Sequence, residues 1–155
     1  MDIKEKTDLL GKCELFNSLN KAEREIIARH SNIETYNAGE TILCQAETSE
    51  KLLVIAEGSI FLERSFDTGT RKGRAKINIL TKGRALGCWS NLLDSPHKLM
   101  SSVVCQHPTK VIVINGFELR KMMVENYEFG FKVLEGLCLL LRDRIECAYG
   151  AMENL

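Results

Sequence analysis

The sequence predicts a mainly β domain, a small barrel or jelly roll, flanked by helices and closed by one long C-terminal helix. Short β-rich runs separated by turn signals fill residues 32–114, which is the spacing expected of such a barrel. Helical periodicity fills residues 1–30 before them and 117–153 after them. No internal repeat, low-complexity tract or linker divides the chain, so residues 1–155 read as a single domain. Hydrophobic residues make up 45% of it, enough for a real core.

In the N-terminal zone, Leu9, Leu10, Leu15 and Phe16 form an apolar cluster. Asn20-Lys21-Ala22-Glu23 reads as a capping box, with Asn20 as the cap and Glu23 three residues on. It opens a helix that ends near Arg29 and carries Ala22, Ile26 and Ile27 as its buried stripe. In the β zone, residues 33–35 and 41–43 flank the turn Asn37-Ala38-Gly39-Glu40. Residues 51–55 read as a buried strand that ends at the turn Glu57-Gly58. In the next strand Ile60 and Leu62 face one way, and Phe61 and Glu63 the other. A turn-rich basic loop, residues 67–74, leads back into residues 76–80, giving a hairpin with a long solvated tip. Residues 102–105 and 110–114 complete the strands.

The C-terminal zone predicts one helix over residues 117–125, a break at Asn126-Tyr127 with Asn126 as the next cap, and a long helix over about 128–153. Leu134, Leu137, Leu141, Ile145, Ala148 and Met152 recur along it at spacings of 3, 4, 4, 3 and 4. That is one stripe on a helix about 39 Å long. Val133, Leu140 and Cys147 widen it. One edge can lie on the barrel while the other meets a partner helix, so a homodimer through this helix is expected. The alternative is that the whole stripe packs within its own chain.

Bulk properties exclude several classes. Lys plus Arg and Asp plus Glu both number 21, and zero net charge argues against nonspecific binding to nucleic acid or anionic membranes. The N-terminus has no apolar stretch of signal-peptide type. The longest apolar run, residues 133–141, is broken by Glu135 and falls short of the ~20 residues a bilayer requires. A soluble cytoplasmic protein without a membrane partner is expected. The six cysteines form no CxxC pair and read as reduced, small buried hydrophobes.

Residues 86–102, LGCWSNLLDSPHKLMSS, interrupt the strands with a glycine, a short apolar turn, a proline and two serines. With the order of elements around them they resemble the cyclic nucleotide-binding domain family, the effector half of catabolite activator protein-like regulators. LFNSLNKAEREIIARHSNIETYNAGETIL is similar to the family's entry helix and first hairpin, and QAETSEKLLVIAEGSIFL to its next hairpin. LTKGRALG resembles the approach to the phosphate-binding cassette, and VIVINGFELRKMM the last strand and following helix. The resemblance implies a jelly roll with a short cassette helix. It also implies a ligand pocket formed by Leu86, Gly87, Cys88, Trp89, Ser90, Lys98, Met100, Ser101 and Ser102, with cAMP or cGMP as the family ligand. In that cassette backbone N–H groups and an arginine hold the phosphate, and a glutamate accepts from the ribose 2′-OH. Gly87 matches the family glycine, but Cys88 stands at the glutamate. Met100, or His97 in an ungapped alignment, stands at the arginine. The substitutions imply that cAMP and cGMP bind weakly or not at all. The competing reading is a genuine cyclic-nucleotide site in which Lys98 supplies the charge.

Trp89, the only tryptophan, reads either as a plug that fills the pocket or as a stacking platform. A pocket plugged by Trp89 and Met100 would make the chain a scaffold for a protein partner. Cys105 and His107, if both face one way at strand spacing, are half of a metal or haem site. No third ligand accompanies them, so neither metal nor haem is expected. No nucleophile–base pair or paired carboxylate suggests catalysis. The resemblance implies a non-catalytic sensor that signals through its C-terminal helix, with Arg144 and Tyr149 reaching into the pocket or a partner. Related regulators carry a helix-turn-helix after that helix. Nothing up to Leu155 supplies one, so direct DNA binding by these residues is not expected, whether the chain acts alone or is the effector half of a longer regulator.

Overall fold

The structure, a computed structural model, describes residues 1–87, 89–95 and 97–153, without the side chain of Ala151. Two N-terminal helices, α1 (Ile3–Leu10) and α2 (Lys21–Arg29), precede strands β1 (Ser31–Tyr36), β2 (Thr41–Leu43), β3 (Lys51–Glu57), β4 (Ser59–Asp67), β5 (Lys72–Thr81) and β6 (Ala85–Gly87). A short helix, α3 (Ser90–Leu93), then separates β6 from β7 (Ser102–Cys105) and β8 (Thr109–Asn115). The chain continues through α4 (Gly116–Glu125) and α5 (Tyr127–Glu153). The strands form two antiparallel four-stranded sheets, ordered β1-β8-β3-β6 and β2-β7-β4-β5, facing each other as a jelly roll.

The two sheets differ in how they are covered, and the sequence pattern follows from that. In the first sheet Leu53, Ile55, Val111 and Val113 point between the sheets, into a core with Ile60, Leu80, Leu86, Val103 and Cys105. Their neighbours Leu52, Val54, Ala56, Ile112 and Ile114 point the other way, into a core shared with the helices. A sheet buried on both faces has no polar side, which is why β3 and β8 read as unbroken apolar runs. The second sheet is covered on one face. On β4 Ile60 and Leu62 turn inward, while Phe61 turns outward beneath Lys76, whose Nζ lies 4.1 Å from its ring centroid.

Two turns expected to close hairpins instead move the chain between sheets. β1 pairs with β8 and β2 with β7, so residues 37–40 cross from one sheet to the other. β3 pairs with β6 and β8, and β4 with β5 and β7, so the Glu57-Gly58 turn crosses too. Only β4–β5 is a hairpin of the kind expected, paired from Ser59↔Thr81 out to Asp67↔Lys72.

The helical layer is anchored by local caps. Asn20 Oδ1 accepts from Glu23 N at 2.9 Å, and Glu23 Oε2 accepts from Asn20 N at 2.8 Å, closing the capping box the sequence predicts. The stripe of α2 is rotated from the expected one. Ile27 and Ala28 are buried, whereas Ala22 and Ile26 face solvent. The inward side is the one that meets α1 and the helical core, and at its edge Glu23 pairs with Lys132 of α5 at 3.0 Å. Asn126 Oδ1 accepts from Phe129 N at 3.2 Å, capping α5 as predicted. Among the described residues no helix is long and apolar enough to cross a membrane.

Candidate functional site

A cavity of about 300 Å³ opens between β5, β6, the segment after α3, and the C-terminal half of α5. Its walls are mostly apolar, with Leu43, Leu62, Leu80, Leu86, Leu99 and Val103 contributed by the barrel. Leu141, Cys147 and Ala148 come from α5. The polar lining is Arg64, Asn78, His97, Ser101 and Arg144, with no carboxylate among the described lining residues.

Local hydrogen bonds hold the segment that follows β6 in place. Asn91 of α3 is buried and donates through Nδ2 to Ser49 O at 2.7 Å. Arg120 of α4 donates to Leu92 O at 2.6 Å, satisfying a carbonyl at the open end of α3. Leu99 N donates to Glu47 O at 2.9 Å, and Leu99 O accepts from Ala46 N at 2.8 Å. Residues 97–101 are thereby laid along the cavity mouth. Gly87 sits at φ +136°, and a Cβ there would overlap Lys51 O of the neighbouring strand, so glycine is required for backbone reasons alone.

Of the predicted pocket residues, Leu86, Gly87, Trp89, Met100 and Ser101 line the cavity. Cys88 lies outside the described residues. Ser90, Lys98 and Ser102 are not on the wall. Ser90 is buried in α3, and Ser102 accepts from Gln45 N at 2.9 Å through Oγ, which commits it to the strand edge. Lys98 is exposed. The plug expected of Trp89 and Met100 does not form. Trp89 packs against the helical core, Met100 is 65% exposed, and both line a cavity that stays open.

On α5 the predicted stripe divides. Leu137 is 2% exposed and belongs to the chain's own core, as do its neighbours Val133 and Leu140. Leu134 and Leu141 are half-buried against that core. Ile145, Ala148 and Met152 are exposed. The exposed stripe takes in Phe131 and Cys138, which the sequence reading passed over. Phe131, Cys138, Ile145 and Met152 recur every seven residues, with Leu134, Leu141 and Ala148 three residues after each of the first three. That is an unbroken a/d heptad pattern, whereas the predicted stripe followed the 3.6-residue period into the core at Leu137.

Arg144 is the candidate the structure places most informatively. Its Nη2 donates to Glu14 Oε1 at 2.7 Å and to Ala85 O at 3.1 Å, and its side chain lines the cavity. Arg84 Nε lies 3.2 Å from Glu14 Oε2, close enough for an ion pair though not aligned as a hydrogen bond. Two arginines thus share one carboxylate. Tyr149 is 63% exposed and outside the cavity lining.

Cys105 and His107 do not form half of a metal site. β7 ends at Cys105, so strand alternation does not continue to His107. Cys105 is buried between the sheets, while His107 is at the surface with Nδ1 2.7 Å from Ser59 Oγ. The cysteines are not uniformly buried as expected: Cys44, Cys138 and Cys147 are exposed. Burial pushes the Cys13 thiol up to about 12 and raises Cys105 as well. Native thiol labelling, mapped by peptide mass, is expected to modify Cys44 and Cys147 and to reach Cys13 and Cys105 only after unfolding. Fast native labelling of Cys13 would contradict its placement in the core.

No family model and no curated protein matches the sequence. Solved structures do. A cyclic nucleotide-binding domain from Methylobacillus flagellatus superposes with a TM-score of 0.81 at 20% identity, over 98% of this chain and 83% of the other. The chain has the cyclic nucleotide-binding fold. The sensor domain of the transcriptional regulator DNR from Pseudomonas aeruginosa shares that fold at TM-score 0.73 and 14% identity, over 93% of each chain. So does a regulatory protein from Silicibacter pomeroyi proposed to bind cAMP, at TM-score 0.75 and 19% identity over 98% of this chain. The chain spans 66% of that protein's length.

Proposed function

We propose that the chain is a non-catalytic regulatory module in which a small molecule in the cavity controls pairing of two copies along α5. One observation carries this reading: Leu141, half-buried, and Ala148, exposed, line the cavity and are also d positions of the heptad stripe. A ligand touching them changes the seam that a second copy would meet, so occupancy and pairing are linked through differential affinity. The heptad stripe complements itself, and the second copy is the occupant it fits best.

The resident ligand in this reading is not cAMP or cGMP. The cassette offers cysteine in place of the family glutamate, Met100 is uncharged where the family has arginine, and Lys98 lies off the wall; the nearest cation is Arg64, which comes from β4 and is engaged through Nη1 with Met100 O at 3.2 Å. A hydrogen bond to a charged group contributes about 1.5–3 kcal/mol. A buried charge without its partner costs several kcal/mol more. Losing even ~3–5 kcal/mol weakens binding more than a hundredfold. Calorimetric titration with cAMP and cGMP is expected to give no saturable heat at micromolar protein. A low-micromolar Kd for either would make Lys98, or the backbone cradle alone, sufficient and would overturn this reading of the ligand.

A further inference from the structure

We infer that the cavity selects a small carboxylate on an apolar body, held by Arg144 from α5. This rests on the cavity being a ligand site, and it names the class of ligand. The site holds an unspent donor. Arg144 Nη1 is buried and makes no hydrogen bond among the described residues, although Nη2 of the same guanidinium makes two. The Arg144 side chain is 17% exposed, so water does little to satisfy it. A buried, charged donor left without an acceptor is unfavourable, and a ligand that supplies the acceptor relieves it.

The charge around that donor is net positive. Glu14 is shared by Arg84 and Arg144, so the trio is net positive. The only charged side chains on the described cavity wall are Arg64 and Arg144. Both hydrogens of Nη2 are engaged, so a two-oxygen acceptor takes the guanidinium by displacing Glu14, which frees Nη2 beside the unpartnered Nη1. The rest of the wall answers a different part of the ligand. Leu80, Leu86, Leu99, Val103, Leu141 and the Trp89 ring offer apolar surface and few polar partners. A sugar would bury hydroxyls there without acceptors, whereas an alkyl or aryl body would not. At about 300 Å³ the space lies at the small end of ligand pockets.

The anchor also gives the ligand a route to α5. A carboxylate on Arg144 competes with Glu14 for the same guanidinium, and Glu14 ties the N-terminal segment and the β6 backbone to the long helix. Glu14 Oε1 accepts from Ala85 N at 2.9 Å as well as from Arg144.

Trp89, the sole tryptophan and part of the wall, reports occupancy by its own emission. The full chain is titrated with octanoate and with octanamide, its neutral match. Wild type is expected to bind octanoate at least tenfold more tightly than octanamide. Arg144→Gln is expected to erase that difference, and Glu14→Gln, which frees the guanidinium while keeping an acceptor for Ala85 N, to widen it. If Arg144→Gln folds poorly, the gain in Glu14→Gln reads the same contact, and its absence would overturn the assignment to Arg144. Equal, saturable binding of both probes to wild type would overturn the carboxylate preference and leave the pocket standing. An unchanged preference in Arg144→Gln would overturn the assignment to Arg144. No saturable change in Trp89 emission with either probe would overturn the ligand pocket itself, and this inference with it.

Discussion

Replacing Gly136 with alanine is expected to lower the melting temperature by about 2–6 °C, while the same change at Gly150, fourteen residues along the same helix, raises it slightly. Helix propensity alone predicts a gain at both positions, since glycine in a helix interior costs about 0.8–1 kcal/mol relative to alanine. Space decides the sign. At Gly136 an added Cβ would overlap Leu15 O, with Leu15 C at 3.2 Å, so α5 lies backbone-to-backbone against the segment that follows α1. That carbonyl cannot rotate away as a side chain can. The segment includes Cys13, Leu15 and Phe16, all essentially unexposed, so relief requires moving α5 off the core. Overpacking of this kind costs typically 1–3 kcal/mol, more than the propensity gain. At Gly150 nothing lies within 4 Å of the added Cβ, and about 0.5 kcal/mol of the propensity remains near the frayed end of the helix. Thermal unfolding of the two single variants measures both signs. A stabilised Gly136→Ala would mean that α5 is not seated against Leu15.

The same packing explains which parts of the molecule could be read from its sequence. The capping box at Asn20 is a local device, complete within four residues, and it appears as predicted. The apolar runs of β3 and β8 announce strands buried on both faces, although the sequence alone does not say that α4 and α5 cover the second face. The turns at 37–40 and 57–58 look the same whether the chain folds back on its neighbour or crosses to the opposite sheet. Pairing is a long-range choice, and here it favours crossing twice. The α2 stripe differs at Ala22 and Ile26 because which side of that short helix meets α1 and the core is settled by long-range packing, not by the local pattern. At the candidate site the cassette was legible by position, but its occupancy was not. Whether Trp89 fills a pocket or lines one depends on α5, which is about fifty residues away. Arg144 was a candidate by helix position. Its significance comes from Glu14 and Arg84, neither near it in sequence.

Ile145→Glu is expected to convert a dimer into a monomer, with the association constant falling by roughly three orders of magnitude or more. Ile145 is 53% exposed in the single chain, so glutamate there is solvated and the fold of each copy should survive. In a paired α5 seam it would be an a-position charge facing its equivalent. Each copy would forgo about 1.5–3 kcal/mol of apolar burial and bring a carboxylate into a desolvated layer without a partner. Together these exceed the ~4.1 kcal/mol that corresponds to a thousandfold change in affinity. Sedimentation of both forms at matched concentration reads the result, and an unchanged dimer would move the interface away from α5. Cys138 then fixes the orientation. It is an exposed a-position residue seven before Ile145. In a parallel, in-register pair the two copies of Cys138 share one layer, and mild oxidation should yield a cross-linked dimer that Cys138→Ser abolishes. In an antiparallel pair centred on residues 131–152, Cys138 would lie opposite Ile145 and no such cross-link would form. Only the parallel arrangement sets the two cavities side by side at the same end of the seam. In that arrangement Leu141 and Ala148 of each copy can feel both ligands, so a Cys138 cross-link would also predict that two cavities fill cooperatively.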